Sequence, residues 1–350
     1  MNLKLETLPT RNPRIIAWEI TRRCELKCRH CRGAARDCDY ADEFSTEECF
    51  KTIDALAAFS KPLIILTGGE PLMHADIFDV ARYATDQGCR VVLATCGHLV
   101  TPDVAAKLKA SGVMAVSLSL DAATAEAHDA FRGIPGAYEK TLAGLRHLKA
   151  AGIPFQINTT VSKLNVAELP QILAKAIELG AATMDFFFLV PTGRGSEIAN
   201  LALDPVDRDC ALEWIATQSK TAPVRVKTTC APQYKRFLNQ GSGDRGQETG
   251  VRDQESETTR HSPPATRHST RETKFRGCMG GRGFVFISHT GVLQTCGFLD
   301  LPCGDLRAAN FDFEKLYNES EVFNNMRMLN PFAGCPARAY ARTGDYMEAE

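Results

Sequence analysis

The chain of 350 residues lacks any uninterrupted apolar run near the ~20 residues that span a bilayer. Its first stretch, Met1–Arg14, has no hydrophobic core of the kind a secretion signal carries. A cytoplasmic protein with no membrane partner is therefore expected. Surplus positive charge is also missing. Lys and Arg number 41 against 42 Asp and Glu, a net charge of −1, which excludes broad nucleic-acid binding through a basic surface. Internal repeats are absent. What remains is ordinary globular composition, 44% hydrophobic and 24% charged. One residue type is abundant: there are 13 cysteines. In a reducing compartment they read as metal or redox ligands rather than disulfides.

Three of them, Cys24, Cys28 and Cys31, stand at C-x3-C-x2-C spacing just after the apolar run Ile15–Ile20. A strand running into a tight loop would bring the three sulfurs to one point. Thiolates are the soft ligands that iron–sulfur clusters need. Three cysteines on a four-iron cluster leave one iron open to a small molecule. A structural zinc site takes four protein ligands, and His30 and Cys38 are the nearest additions, so zinc stays open on spacing alone.

Apolar periodicity predicts strands at 14–20, 63–67, 90–95, 113–120, 155–161 and 183–190, with helical patterns between them. Six such alternations give a parallel sheet wrapped by helices, either an open doubly wound sheet or a partial barrel. Residues 1–13 precede the first strand as an N-terminal extension, and 14–238 form the main α/β domain. Residues 239–276 are polar and charged with almost no large apolar side chain, and are expected to be a disordered linker or insertion. Residues 277–350 read as a small separate domain opened by a hairpin, Phe284–Ser288 and Val292–Cys296. Cys278, Cys296, Cys303 and Cys335 could supply a four-thiolate site there, for an iron–sulfur cluster or for zinc.

Gly68-Gly69-Glu70-Pro71 follows the strand Leu63–Leu66. This turn and the three-cysteine loop, in that order, resemble the radical S-adenosylmethionine (radical SAM) enzymes over roughly residues 12–195. The resemblance implies a partial (β/α)6 TIM barrel with its chemistry at the strand C-terminal ends. It implies a [4Fe–4S] cluster on Cys24, Cys28 and Cys31, with SAM chelating the fourth iron. Residues expected to bind SAM are His30, near the adenine, and Gly68, Gly69, Glu70 and Pro71, at the methionine amino group. Ser119, Arg132 at the carboxylate, Asn158 and Val190 complete that set. Thr95-Cys96-Gly97 stands where many relatives have Thr-Asn-Gly. The implied reaction is reductive cleavage of SAM to a 5′-deoxyadenosyl radical that takes a hydrogen atom from substrate, with a low-potential electron donor such as flavodoxin or ferredoxin.

Cys278, Gly291 and Cys296, at C-x12-G-x4-C, are similar to the opening of the auxiliary-cluster (SPASM or twitch) domains of a radical SAM subgroup. The dense C-x2-C-x5-C-x3-C run of that subgroup is missing before Cys335, which implies one auxiliary [4Fe–4S] cluster at most. The segments Pro13–Arg22, Cys31–Ala35, Thr229–Pro232, Phe284–His289 and Ala337–Tyr346 resemble the tetrapyrrole-modifying branch, and Cys278–Phe284 is most similar to its heme synthases. That implies an iron-porphyrin substrate and oxidative decarboxylation of two propionates of iron-coproporphyrin III to vinyl groups. Arg22, Arg194, Lys227, Cys230, Arg282 and His289 are the candidates to meet it. Other readings are a didecarboxysiroheme deacetylase, a heme d1 biosynthesis enzyme, a SPASM peptide maturase, and a non-catalytic tetrapyrrole binder. The short stretch before the first strand leaves no room for the peptide-binding domain a maturase would need.

Overall fold

The computed structural model describes residues 12–238, 277–332 and 334–349. The expected linker, and nearly all of the N-terminal extension, lie outside the described residues. Seven strands run through the first segment: β1 (Ile15–Thr21), β2 (Leu63–Gly68), β3 (Arg90–Thr95), β4 (Val113–Ser119), β5 (Phe155–Val161), β6 (Thr183–Phe188) and β7 (Arg225–Thr229). Between them lie α1 (Thr46–Phe59), α2 (Ile77–Asp86), α3 (Pro102–Ala110), α4 (Ala125–Arg132), α5 (Ala137–Ala150), α6 (Leu169–Leu179) and α7 (Pro205–Thr221). The six expected strands are all present. β7 is an addition, because the short apolar run at 223–226 continues into it.

All seven strands are parallel in the order β1-β2-β3-β4-β5-β6-β7. Alternation along each strand explains the layers. On β5, Phe155, Ile157 and Val161 are buried with the helices, while Gln156, Asn158 and Thr160 are half-buried and line the inner face. On β1, Ile16, Trp18 and Ile20 face outward into the same core. Each such large apolar side chain contributes about 1.5–3 kcal/mol on burial. Helix α1 starts at a capping box, with Ser45 and Glu48 satisfying each other's backbone N–H groups.

The C-terminal segment differs from its expected separation. Strand β8 (Phe284–Ile287) pairs in parallel with β1, so it joins the barrel sheet on the free side of that strand. Strands β9 (Val292–Gln294) and β10 (Gly304–Asp305) continue antiparallel, making one ten-stranded sheet with β10 and β7 at its edges. Val285 and Ile287 extend the outer core, and pairing with β1 satisfies an edge that would otherwise carry open backbone groups. Three short helices follow, Phe313–Glu319, Glu321–Met328 and Pro336–Thr343, the first packing Phe313 and Tyr317 against Phe59 of α1.

Candidate active site

The loop after β1 carries Cys24, Cys28 and Cys31, the first two buried and the third half-buried. With little secondary structure of its own, it needs outside partners for its backbone. The C-terminus of α4 supplies two: Lys27 N–H donates to Arg132 O at 3.2 Å and Arg29 N–H to Phe131 O at 3.0 Å. Arg194 supplies more, with Nε to Cys28 O at 2.9 Å and a terminal nitrogen to Ala35 O at 2.7 Å. Arg194 was expected to meet substrate. Two of its nitrogens clamp the cysteine loop, and its Nη2 is buried with no protein partner.

The turn after β2 reaches the same end of the barrel. Gly69 N–H donates to Thr21 O and Glu70 N–H to Arg23 O, both at 2.8 Å. The chains pass so closely that a Cβ on Gly68 would stand 2.3 Å from Thr21 O, and one on Gly69 2.4 Å from both Arg22 O and Arg23 O. Only glycine fits. Glu70 is fully buried, and its carboxylate accepts from Thr95 Oγ1 at 2.6 Å, Cys96 N–H at 2.8 Å and Leu72 N–H at 3.1 Å. It fixes the turn to the end of β3 from within, and burial pushes its carboxyl above the usual range. Pro71 opens the following 3-10 turn.

Opposite, Arg132 is buried, ion-paired to Asp121, with a terminal nitrogen 3.6 Å from Cys28 Sγ. Burial raises the Cys28 thiol, and the Arg132 charge opposes that rise. Burial alone dominates at Cys24, pushed up to about 12. The His30 ring stacks on Phe131, centroids 4.4 Å apart. Burial, with the neighbouring Arg132 charge, lowers its pKa to about 3, so it is neutral. Ser119 at the end of β4 and Asn158 in the middle of β5 are paired neighbours, half-buried on the inner face. Val190 is buried with the C-terminal segment.

A zinc tetrahedron with Zn–S near 2.3 Å would hold its sulfurs only ~3.8 Å apart. Among the described residues, the trio whose ligand atoms lie within 4.8 Å of one another is Glu25, Cys96 and His98, not the three cysteines. At least one pair of the loop sulfurs is therefore farther apart than a zinc tetrahedron would hold them. Cys38 is exposed, and the His30 ring is stacked on Phe131. His30 Nδ1 and Arg132 Nε are buried with no protein partner. Together with the glycine cradle, they leave polar groups for a bound cofactor to satisfy.

A second thiol group differs from the expected one. Cys230, at the end of β7 with φ of 60°, is packed with Cys296 and Cys335 in a small apolar cluster. Burial raises the Cys230 thiol well above the usual value, and the charges of Cys335, Cys296 and Cys278 raise it further. Burial likewise takes Cys278 to about 11 and Cys296 to about 12, each with Cys335 next in effect. Cys303 is not among them. Its Sγ donates to Leu301 O, and it sits in the main core beside β9. Cys230 takes the place expected for Cys303, because β7 ends beside the start of the C-terminal segment. Arg338 locks that junction, donating to Cys230 O at 2.7 Å and Phe188 O at 2.9 Å.

Two more expected substrate residues are already engaged. Lys227 Nζ lies 2.8 Å from the buried Asp185 carboxylate, which also accepts from Thr229 Oγ1. Arg282 donates to Arg327 O at 3.3 Å. Arg22 and His289 come together instead, at Glu19. Glu19, Arg32 and Asp121 are site residues that the sequence reading passes over. A carboxylate inside an apolar strand was the available signal at Glu19.

The family model described as Radical SAM superfamily matches residues 18–176. An AdoMet-dependent heme synthase of Methanosarcina barkeri is 43% identical over 354 residues, covering 97% of this chain and 96% of that protein. The chain belongs to the radical SAM superfamily. A second relative, the AdoMet-dependent heme synthase of Nitratidesulfovibrio vulgaris, is 39% identical over 96% of this chain and 91% of its own length. The crystal structure of Streptococcus suis SuiB bound to S-adenosylmethionine has the same fold, with a TM-score of 0.70 and 13% identity, covering 96% of this chain and 75% of that one. As a radical SAM enzyme, this protein uses a [4Fe–4S] cluster and SAM. Among the described residues no helix is long and apolar enough to cross a membrane.

Proposed function

We propose that this radical SAM enzyme is a heme synthase that converts two propionates of iron-coproporphyrin III to vinyl groups. Near end-to-end similarity to relatives named AdoMet-dependent heme synthase carries this reading. Cys24, Cys28 and Cys31 would hold a [4Fe–4S] cluster, which together with SAM would supply the radical chemistry for removing a hydrogen atom from the substrate. The backbone of the Gly68–Glu70 turn and Ser119, Asn158 and His30 orient the cofactor. Arg132 offers its unpartnered Nε to an anionic group of SAM. The buried Glu70 and Asp121 hold these donors in place from behind.

Per propionate, the substrate loses one hydrogen atom, one CO2 and one electron. Cys230, Cys278, Cys296 and Cys335 would hold an auxiliary cluster able to accept that electron, while a flavodoxin- or ferredoxin-like donor supplies reduction at the first site. The test is an anaerobic assay of reconstituted protein with dithionite, SAM and iron-coproporphyrin III, read by mass spectrometry. Loss of two carboxyl groups with formation of 5′-deoxyadenosine supports the reading. SAM cleavage that leaves the porphyrin intact overturns it.

A further inference from the structure

Glu19 is fully buried on the inner face of β1 and gathers three side chains. Its Oε1 accepts from Arg22 Nε at 2.6 Å, its Oε2 pairs with a terminal nitrogen of Arg32, and His289 Nδ1 stands 3.1 Å from Oε1. Burial pushes the Glu19 carboxyl up, but the Arg32 charge, His289 and the Arg22 charge outweigh it and hold it well below the usual range. One carboxylate thus faces two guanidinium groups, and a positive charge is left over. Glu43, the next acid, is turned to Thr21 Oγ1 and the Arg22 amide. Among the described residues it forms no ion pair with either guanidinium.

Arg32 has a telling position. It follows Cys31 directly, its guanidinium lies 4.4 Å over the Phe286 ring of β8, and its Cδ would stand 3.2 Å from a Cβ on Gly297, the neighbour of Cys296. The side chain therefore reaches from the first thiol loop to the second thiol group. Glu19 uses one edge of it and Phe286 covers one face. The side chains of Arg32 and Arg22 keep 19% and 31% exposure for something else.

We propose that Arg32 and Arg22, fixed by the buried positioning residue Glu19, form a carboxylate seat that holds one propionate of a tetrapyrrole between the two sulfur sites. This rests on the tetrapyrrole reading above. A planar guanidinium matches a carboxylate through paired N–H groups, a match that an ammonium lacks. Pre-ordering by Glu19 and Phe286 removes much of the entropy cost of ordering two long side chains on binding.

The test uses the full chain with its clusters reconstituted, and compares iron-coproporphyrin III with its tetramethyl ester by titration of the Soret band. The native protein is expected to prefer the free acid. Arg32→Gln, which keeps bulk against Phe286 and Gly297, should lose roughly ten- to hundred-fold in affinity for the acid and change by less than about twofold for the ester. Arg32→Lys should fall between. An acid-to-ester preference unchanged in Arg32→Gln overturns the seat and leaves the heme synthase reading standing. Native protein that binds neither porphyrin overturns both. If Arg32→Gln binds neither, Arg22→Gln decides: a weakened preference for the acid supports the seat, and an unchanged one overturns it.

Discussion

Arg132 holds a terminal nitrogen 3.6 Å from the Cys28 sulfur while paired to Asp121 at the end of β4. The cation beside the Cys28 sulfur is thus set by a carboxylate that follows another strand. Asp121 is itself fixed, accepting from Thr160 N–H at 2.7 Å. Removing one partner strands a buried charge, so Arg132→Gln is expected to cost about 3–5 kcal/mol. Adding Asp121→Asn should recover much of that loss, since the stranded charge is gone. Urea unfolding of both single variants and the double variant checks this. A double variant as unstable as the sum of the singles would mean the two residues act separately.

Cys230 and Cys303 make a paired test of the second thiol group. If Cys230, Cys278, Cys296 and Cys335 hold a cluster, Cys230→Ser should lower the iron and sulfide content of reconstituted protein by about one four-iron cluster per chain. Cys303→Ser should leave both unchanged, with a stability cost of about 1 kcal/mol from its core position. Iron and sulfide analysis decides it. The reverse pattern would return Cys303 to the ligand set.

Gly69 and Gly136 separate close approach from backbone strain. At Gly69 an added methyl meets two carbonyl oxygens at 2.4 Å. Gly69→Ala should displace the turn and cost more than about 3 kcal/mol, with SAM binding lost. Gly136 has φ of 76° but nothing within 4 Å of an added Cβ. Gly136→Ala should cost about 1–2 kcal/mol and leave SAM binding intact. Thermal unfolding and equilibrium dialysis with SAM measure both.

The parts of this site that were legible in the sequence are the local ones. Cys24, Cys28 and Cys31 declare themselves by spacing, and Gly68-Gly69-Glu70-Pro71 by its place after an apolar strand. The six strands follow from alternation and from glycine at helix ends, as at Gly180 after α6. What could not be read depends on contacts between distant segments. Nothing near Phe284 announces that β8 will lie beside β1, and that placement brings His289 to Glu19. The same long-range contact carries Cys230 to Cys278, Cys296 and Cys335 while β9 draws Cys303 into the core. Arg194 shows a second limit. An arginine near a strand end suits an anionic ligand, and its sequence neighbourhood does not announce that two of its nitrogens go to the carbonyl groups of the cysteine loop.

Glu48 and Arg307 tie the C-terminal segment to the start of α1, and their pair makes a pH prediction. Arg307 Nε donates to Glu48 Oε1 at 2.5 Å and a terminal nitrogen to Oε2 at 3.0 Å. The Arg307 bond, against a smaller opposing effect of burial, pulls the Glu48 carboxyl from 4.5 down to about 2. A carboxyl whose folded value is depressed adds stability above its unfolded value, and that stability fades as pH falls through the folded one. Glu48→Gln keeps the capping geometry, because glutamine can accept from Ser45 N–H, but it loses the charge. The gap in stability between native protein and Glu48→Gln should be about 1 kcal/mol above pH 5. It should shrink between pH 4.5 and 2. Urea titrations across that range measure it. A gap that stays constant with pH would assign the effect of Glu48 to capping and packing, not to its charge against Arg307.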